Sequence, residues 1–222
     1  MRNTIFVLGM AVVLAASAAA RGLDVGYEPD GFDELKKQKG VFKTTLVKPR
    51  TDFSRYRSIE TRVPVLFVLA PAPTAQTTGS LVSHADETVV PETEQLASFK
   101  ELFSSAIASE IEQTTDFDVV ESSDAPRLVL QPIVTEAEFK TSSRVRNEEG
   151  EEVPILSRAT VVFDLMDSET GKILARLGER RKVKPVRGAQ DASEEWPVTR
   201  AWLEAAAHDL CNELARLKQV SA

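Results

Sequence analysis

Residues 158–183 read RATVVFDLMDSETGKILARLGERRKV, and no other part of the chain is as explicit about the architecture. Ala159, Val161, Phe163 and Leu165 alternate with Thr160, Val162, Asp164 and Met166, and Ile173, Ala175 and Leu177 resume the rhythm beyond Gly171. A period of two is the pattern of a half-buried strand, so the stretch predicts a β-hairpin. Its loop is Glu169-Thr170-Gly171, with Gly171 in the left-handed conformation that a Cβ disfavours. That loop sets the register: Leu165 faces Ala175, Phe163 faces Leu177, and on the other face Asp164 meets Arg176. One face is apolar and the other carries a cross-strand ion pair of about 0.5 kcal/mol, which predicts an antiparallel sheet with one covered side. Helices elsewhere must supply the cover.

Two segments have the spacing to do so. Pro91 opens the first, with Glu92 and Glu94 in the turn where the helix dipole favours them, and Leu96, Phe99, Phe103, Ala106, Ile107 and Ile111 recur along one side. The second runs from Ser193 or Pro197 to Leu217, with Leu203, Ala207, Leu210, Leu214 and Leu217 as its stripe and Trp196 and Trp202 early in it. Further strands are predicted at 41–47, 117–120 and 127–139, and over 58–69. In the last of these Ile59, Thr61, Val63, Val65, Phe67 and Leu69 share a face. Pro64 and Pro132 lack an amide donor and mark an edge, a bulge or a break. Strands, helix, strands, helix in that order give an α+β fold: a two-layer sandwich of a mixed, mostly antiparallel sheet with two long helices on one face.

The chain has 222 residues. It opens with Arg2, an apolar run from Ile5 to Ala16 and small residues through Ala20, the pattern of a cleavable secretory signal peptide over 1–20. The run is short for a bilayer span, which takes about 20 apolar residues. A retained N-terminal anchor is the other reading. Residues 21–40 are Gly-rich and charged and read as a flexible arm, with Gly31-Phe32 and Leu35 as anchors and a short helix at Asp33–Lys37. Residues 41–222 then form a single domain with a real core. At 42% hydrophobic and 27% charged the composition is ordinary globular usage. The formal charge of −7 becomes −8 when Arg2 leaves with the leader (−7 minus one), which argues against nucleic-acid binding. Cys211 is the only cysteine, so no intrachain disulfide forms and the core must hold the fold.

Several pieces together resemble a group of uncharacterised bacterial envelope proteins, mostly lipoproteins, known only as a domain of unknown function. They are Gly31-Phe32 with Leu35, Asp52-Phe53-Ser54-Arg55-Tyr56, Phe99 to Ile111, Phe117-Asp118-Val119-Val120, Leu128 to Val134, Asp167-Ser168-Glu169-Thr170-Gly171, and Trp196 at the start of the last helix. The resemblance implies an envelope location and brings no catalytic residues. The chain departs from the group in lacking the cysteine that would accept a lipid after the leader.

The inventory for catalysis is thin. His84 lies in a polar loop between 70 and 91 and His208 on the last helix, and Cys211 beside its stripe reads as a small buried hydrophobe. Zinc ligation and a histidine-based nucleophilic triad both lack their parts, so no metal, cofactor or enzymatic activity is expected. The Lys140–Pro154 and Lys184–Ser193 connections leave the same end of the sheet, which gathers Arg144, Arg146, Arg180, Arg181, Lys182, Lys184 and Arg187 into a candidate patch for an anionic partner. Neighbouring glutamates oppose it. The expected role is an exported, periplasmic, non-catalytic accessory or interaction protein of the bacterial cell envelope, whose partner is an envelope protein or an anionic envelope component. The alternative is a periplasmic domain binding a small ligand with the 70–91 loop. An exposed apolar patch or open sheet edge favours the first, and a deep polar pocket the second.

Overall fold

The structure is a computed structural model that describes residues 28–69, 88–121, 125–146, 152–183 and 197–221. Residues 1–20, read above as a leader, and most of the 70–91 loop with His84 lie outside the described residues. The hairpin forms in the register read from the sequence: β8 (Glu152–Asp167) and β9 (Ile173–Lys182) pair antiparallel, with Leu165 opposite Ala175, Phe163 opposite Leu177 and Asp164 opposite Arg176. Gly171 closes the loop at φ 68° and donates its N–H to Asp167 O at 2.8 Å. One position departs. A register shift leaves Leu174 without an opposite number, so Met166 faces Ile173, and Ile173 packs with Leu35 and Leu46 instead of with Ala175 and Leu177.

The remaining strands are β1 (Lys36–Gln38), β2 (Thr44–Val47), β3 (Ser58–Thr61), β4 (Val65–Val68), β5 (Thr88–Val89), β6 (Asp118–Val119) and β7 (Leu128–Arg146). One mixed sheet holds them in the order β1-β2-β9-β8-β7-β3-β6, with β4 and β5 following β3 along the same side of β7. The strand pairs β3–β7, β4–β7 and β3–β6 are parallel, and the rest are antiparallel. The 140–154 connection of the sequence reading is shorter, because β7 and β8 stay paired out to Arg146 opposite Glu152. Ladder bonds join backbones and need no apolar rhythm, so alternation gives no sign of them.

Both helices lie on one face. α1 (Thr93–Thr114) is capped at Glu92, whose N–H donates to Gln95 Oε1 at 2.9 Å, and it buries Phe99, Phe103, Ile107 and Ile111. α2 (Pro197–Ser221) buries Leu203, Ala207, Leu210, Leu214 and Leu217. These meet Ala159, Val161, Phe163 and Leu165 in one continuous core, with Phe103 bridging Phe163 and Trp202 at ring separations of 6.2 and 6.5 Å.

The face away from the helices departs twice from the sequence reading. Asp164 and Arg176 are buried there, joined by two bonds of 2.7 and 2.8 Å, with the Phe32 ring 4.6 Å from the guanidinium carbon. Removing one partner of such a pair strands the other charge in the interior at about 3–5 kcal/mol, far above a surface pair. The cover is the N-terminal segment. Instead of a helix at 33–37 it makes a single 3-10 turn at Phe32–Glu34 and then pairs as β1 with β2. Asp30 O accepts the Ile173 N–H at 3.0 Å, which fastens the segment to the hairpin.

The second departure concerns residues 58–69. Thr61 lies opposite Leu130 and Val65 opposite Ile133, so four residues on one strand match three on the other. The extra residue falls at the Pro64 break and inverts the pattern, because a slip of one exchanges the two faces. Ile59 stays in the helix-side core, but Leu66 and Val68 join it there while Val65 and Phe67 turn outward.

Candidate functional site

The register fixes which side chains share the outer face. Across one level run Val65, Ile133, Val162, Gly178 and Thr44; across others run Thr160 and Arg180, then Glu138, Arg158 and Lys182. Ile133 and Val162 are buried in a cluster of their own at the centre. At the β4 border the surface is apolar and open: Val63 is 69% exposed, Phe67 46% and Val90 55%, and Val65 and Leu69 are exposed as well. Toward β9 the same face turns basic. Arg158 pairs with Glu138 at 2.7 Å, and Arg180 lies 3.4 Å from Glu136, which also accepts from Thr160 Oγ1 at 3.1 Å. Glu136 holds φ 51° at a bulge in β7, a costly backbone for a residue with a Cβ.

Of the seven cations singled out in the sequence, Arg180, Arg181 and Lys182 follow one another on β9 and do not share a face. Arg180 and Lys182 share the outer face, and Lys182 has no ion-pair partner among the described residues. Arg181, between them, points to the helices, where it pairs with Asp209 and with Glu179 at 3.2 Å. Alternation along a strand allows nothing else. β7 and β9 both run antiparallel to β8, so they end at the same end of the sheet as expected. Arg146, however, is level with Glu152 and Lys182 with Arg158, six residues apart along β8, or about 20 Å at the rise of a strand. Arg144 lies near Arg146 in the same stretch of β7. Lys184 and Arg187 lie outside the described residues.

The buried ionisable groups on the helix side serve as fasteners. The Tyr56 hydroxyl donates to Asp167, and Arg55 reaches Asp167 at 3.2 Å and Glu169 at 3.1 Å. Two stretches far apart in sequence, 52–56 and 167–171, are joined this way. Burial pushes the Asp167 carboxyl up, but hydrogen bonds from Tyr56, from the Thr170 N–H and hydroxyl and from the Glu169 N–H outweigh it and hold the group below the usual carboxylate range. Burial, with the Asp167 hydrogen bond adding to it, raises the Tyr56 hydroxyl well above its ordinary value. Glu213, fully buried on α2, accepts from the Val41 N–H at 2.6 Å and from Arg216. Burial carries the Cys211 thiol up to about 11, so it stays protonated at neutral pH. His208 is exposed, with Nδ1 2.9 Å from Glu110.

A cleft of about 230 Å³ lies beside the end of α2, between Lys48, Arg50, Asp52, Leu217 and Val220. Small-molecule sites run to about 300–1,000 Å³ and enclose their ligand, which this cleft is too small to do. Its rim includes Arg50 at φ 61°, the third position of a Pro49-led turn in which the Thr51 N–H reaches Lys48 O at 3.4 Å.

No family model and no curated protein matches the sequence. Solved structures do. The chain is similar to the PelC dodecamer from Paraburkholderia phytofirmans, at 14% identity and a TM-score of 0.42, over 81% of this chain and 97% of that one. It is also similar to a protein from Xanthomonas campestris assigned to DUF330, at 12% identity and a TM-score of 0.40, over 74% of this chain and 87% of that one. Among the described residues no helix is long and apolar enough to cross a membrane.

Sequence reasoning missed the apolar border because it put Val63, Val65, Phe67 and Leu69 on one face with Ile59, which is buried. Two prolines were the available signal. Pro64 lies in the break between β3 and β4, and Pro132 lies on β7 between the two residues, Leu130 and Ile133, that flank that break.

Proposed function

We propose that this protein is an exported, non-catalytic interaction protein of the bacterial cell envelope that works through the outer face of its sheet. The observation that carries this reading is the stripe of Val63, Val65, Phe67 and Leu69, large apolar side chains left in solvent on the border of a sheet whose other face is fully packed. Exposed apolar residues scattered singly mean little, but a contiguous row on one border marks a contact surface. The basic side of the same face, with Arg180 and Lys182, suits an anionic envelope component next to that contact. The non-catalytic part of the reading draws support from the fate of the buried ionisable groups. Asp164 is tied to Arg176, Glu213 to the Val41 N–H and Tyr56 to Asp167, each in a bond that joins two parts of the fold.

The test is site-specific photocrosslinking in intact cells. A crosslinker replacing Phe67 should give discrete products, whereas one replacing Glu101, exposed on α1, should give none. Equal recovery from both positions, or none from position 67, rejects the reading.

A further inference from the structure

The sheet guards its borders unequally. β1, at one end, presents Lys36 and Lys37, the residue type that deters a foreign strand, and β6, at the other, is two residues long. β4 has neither protection. From Val63 to Leu69 the chain reads Val-Pro-Val-Leu-Phe-Val-Leu, seven residues without a charge, and among the described residues no strand pairs with its far side. On a chain of net charge −7, two copies repel when they approach through charged surface. Through this stripe they do not.

We propose that the partner at the stripe is a second copy of this chain, packed about a two-fold axis so that each Val63-Val65-Phe67-Leu69 row lies on the other. The inference rests on the reading of the outer face as a contact surface. A two-fold contact requires a self-complementary patch, and an uncharged apolar row meets that requirement while a mixed-charge one rarely does. Because β4 is a border strand, two sheets opposed there overlap only along their margins. Arg158 on β8 and Arg180 and Lys182 on β9 lie two and three strands inward, about 10 and 14 Å at the spacing of strands, so the basic regions of the two copies stay apart. Lys182, which has no ion-pair partner among the described residues, stays available to an anionic component.

Size sets the strength. With side chains of about 150–200 Å² each, the fractional exposures of the four residues and Val90 amount to on the order of 400 Å² per copy. Both copies together give roughly 800 Å², below the 1,200–2,000 Å² of stable complexes, which calls for a concentration-dependent dimer in the micromolar range.

The measurement is sedimentation equilibrium of the purified protein from about 1 to 200 μM, a range that brackets such a constant. The weight-average mass should climb from one chain toward two. Phe67→Glu should weaken association at least tenfold with an unchanged circular dichroism spectrum and melting temperature, since the residue is half in solvent. Mixing Phe67→Glu with Phe67→Lys should restore it, because the two-fold axis brings the two rows together. A monomer across the whole range, or a dimer indifferent to Phe67→Glu, overturns the proposal. If crosslinks from position 67 reach a different protein while this chain stays monomeric, the second-copy inference falls and the contact surface stands. With no crosslink and no dimer, both fall.

Discussion

Replacing Gly40 by alanine asks whether α2 is fastened to the sheet by one buried carboxylate. A Cβ at residue 40 would sit 2.8 Å from each Glu213 oxygen and closer still to Thr45 Oγ1, distances real Cβ atoms do not adopt. Glu213 has little freedom to retreat. It is fully buried and accepts three hydrogen bonds: Val41 N–H at 2.6 Å, Arg216 Nε at 2.9 Å and Arg216 Nη2 at 2.6 Å. Moving the carboxylate breaks the first of these and leaves an amide without a partner, at about 1–3 kcal/mol, and it weakens a charge-assisted bond worth about 1.5–3 kcal/mol. The stiffer unfolded chain of an alanine variant returns about 0.4–1 kcal/mol. The net is a loss of about 2–4 kcal/mol, or about 5–15 °C in melting temperature for a domain of this size.

Urea unfolding followed by circular dichroism reads this as a lower midpoint with an unchanged slope. A variant within about 0.5 kcal/mol of the parent would show that the turn relaxes freely and that the close approach is incidental. The double variant Gly40→Ala, Glu213→Ala separates the causes. If the carboxylate is the obstacle, the glycine substitution adds little once the carboxylate is gone, and strict additivity refutes the assignment.

Tyr56→Phe should cost about 1.5–3 kcal/mol by removing the buried donor to a carboxylate, measured by the same urea midpoint; a neutral result would mean the bond contributes nothing. The Asp167 carboxyl is held below its unfolded value, so its contribution is fully present above about pH 4 and is lost as pH falls through the lower folded value. Asp167→Asn should therefore flatten the acid limb of the stability profile, and superimposable limbs would contradict the sign of the shift. Cys211, protonated and buried, should react with iodoacetamide in the native protein at least about 100-fold more slowly than in urea; comparable rates would place the thiol at the surface.

The sequence carried the hairpin register because Gly171 and the Asp167 side chain specify the turn locally. Asp167 Oδ1 accepts from the N–H groups of Glu169 and Thr170 at 3.0 and 2.8 Å, all within four residues. The helical stripes were legible for a related reason: a spacing of three and four residues along Phe99, Phe103 and Ile107 is complete in itself. What depended on distant partners was not legible. Asp164 and Arg176 read as an exposed pair because nothing in strands β8 and β9 announces that Phe32, more than 130 residues earlier, lies over them. Arg180, Arg181 and Lys182 read as one patch because composition counts charges without regard to side, while the strand they occupy sends the middle one to Asp209 on α2.

The apolar border shows the same limit at its sharpest. Alternation assigns residues to faces only between interruptions, and whether an interruption shifts the assignment depends on how many residues the partner strand spends over the same interval. Here Thr61 to Val65 takes four steps and Leu130 to Ile133 takes three. Had the intervals matched, Val65 and Phe67 would have entered the core beside Ile59, and Leu66 and Val68 would have faced water. The lone extra residue changes no composition and barely changes hydropathy, yet it moves an uncharged row from the interior to the border. Pro64 lies in the break between β3 and β4, where no ladder bond is called for, and Pro132 lies on β7 between the two residues that flank that break, so the interruption costs few additional hydrogen bonds. A device with so small a cost and so large an effect on the surface explains why the contact face is written in the count of residues between two partners, a quantity that neither strand reveals alone.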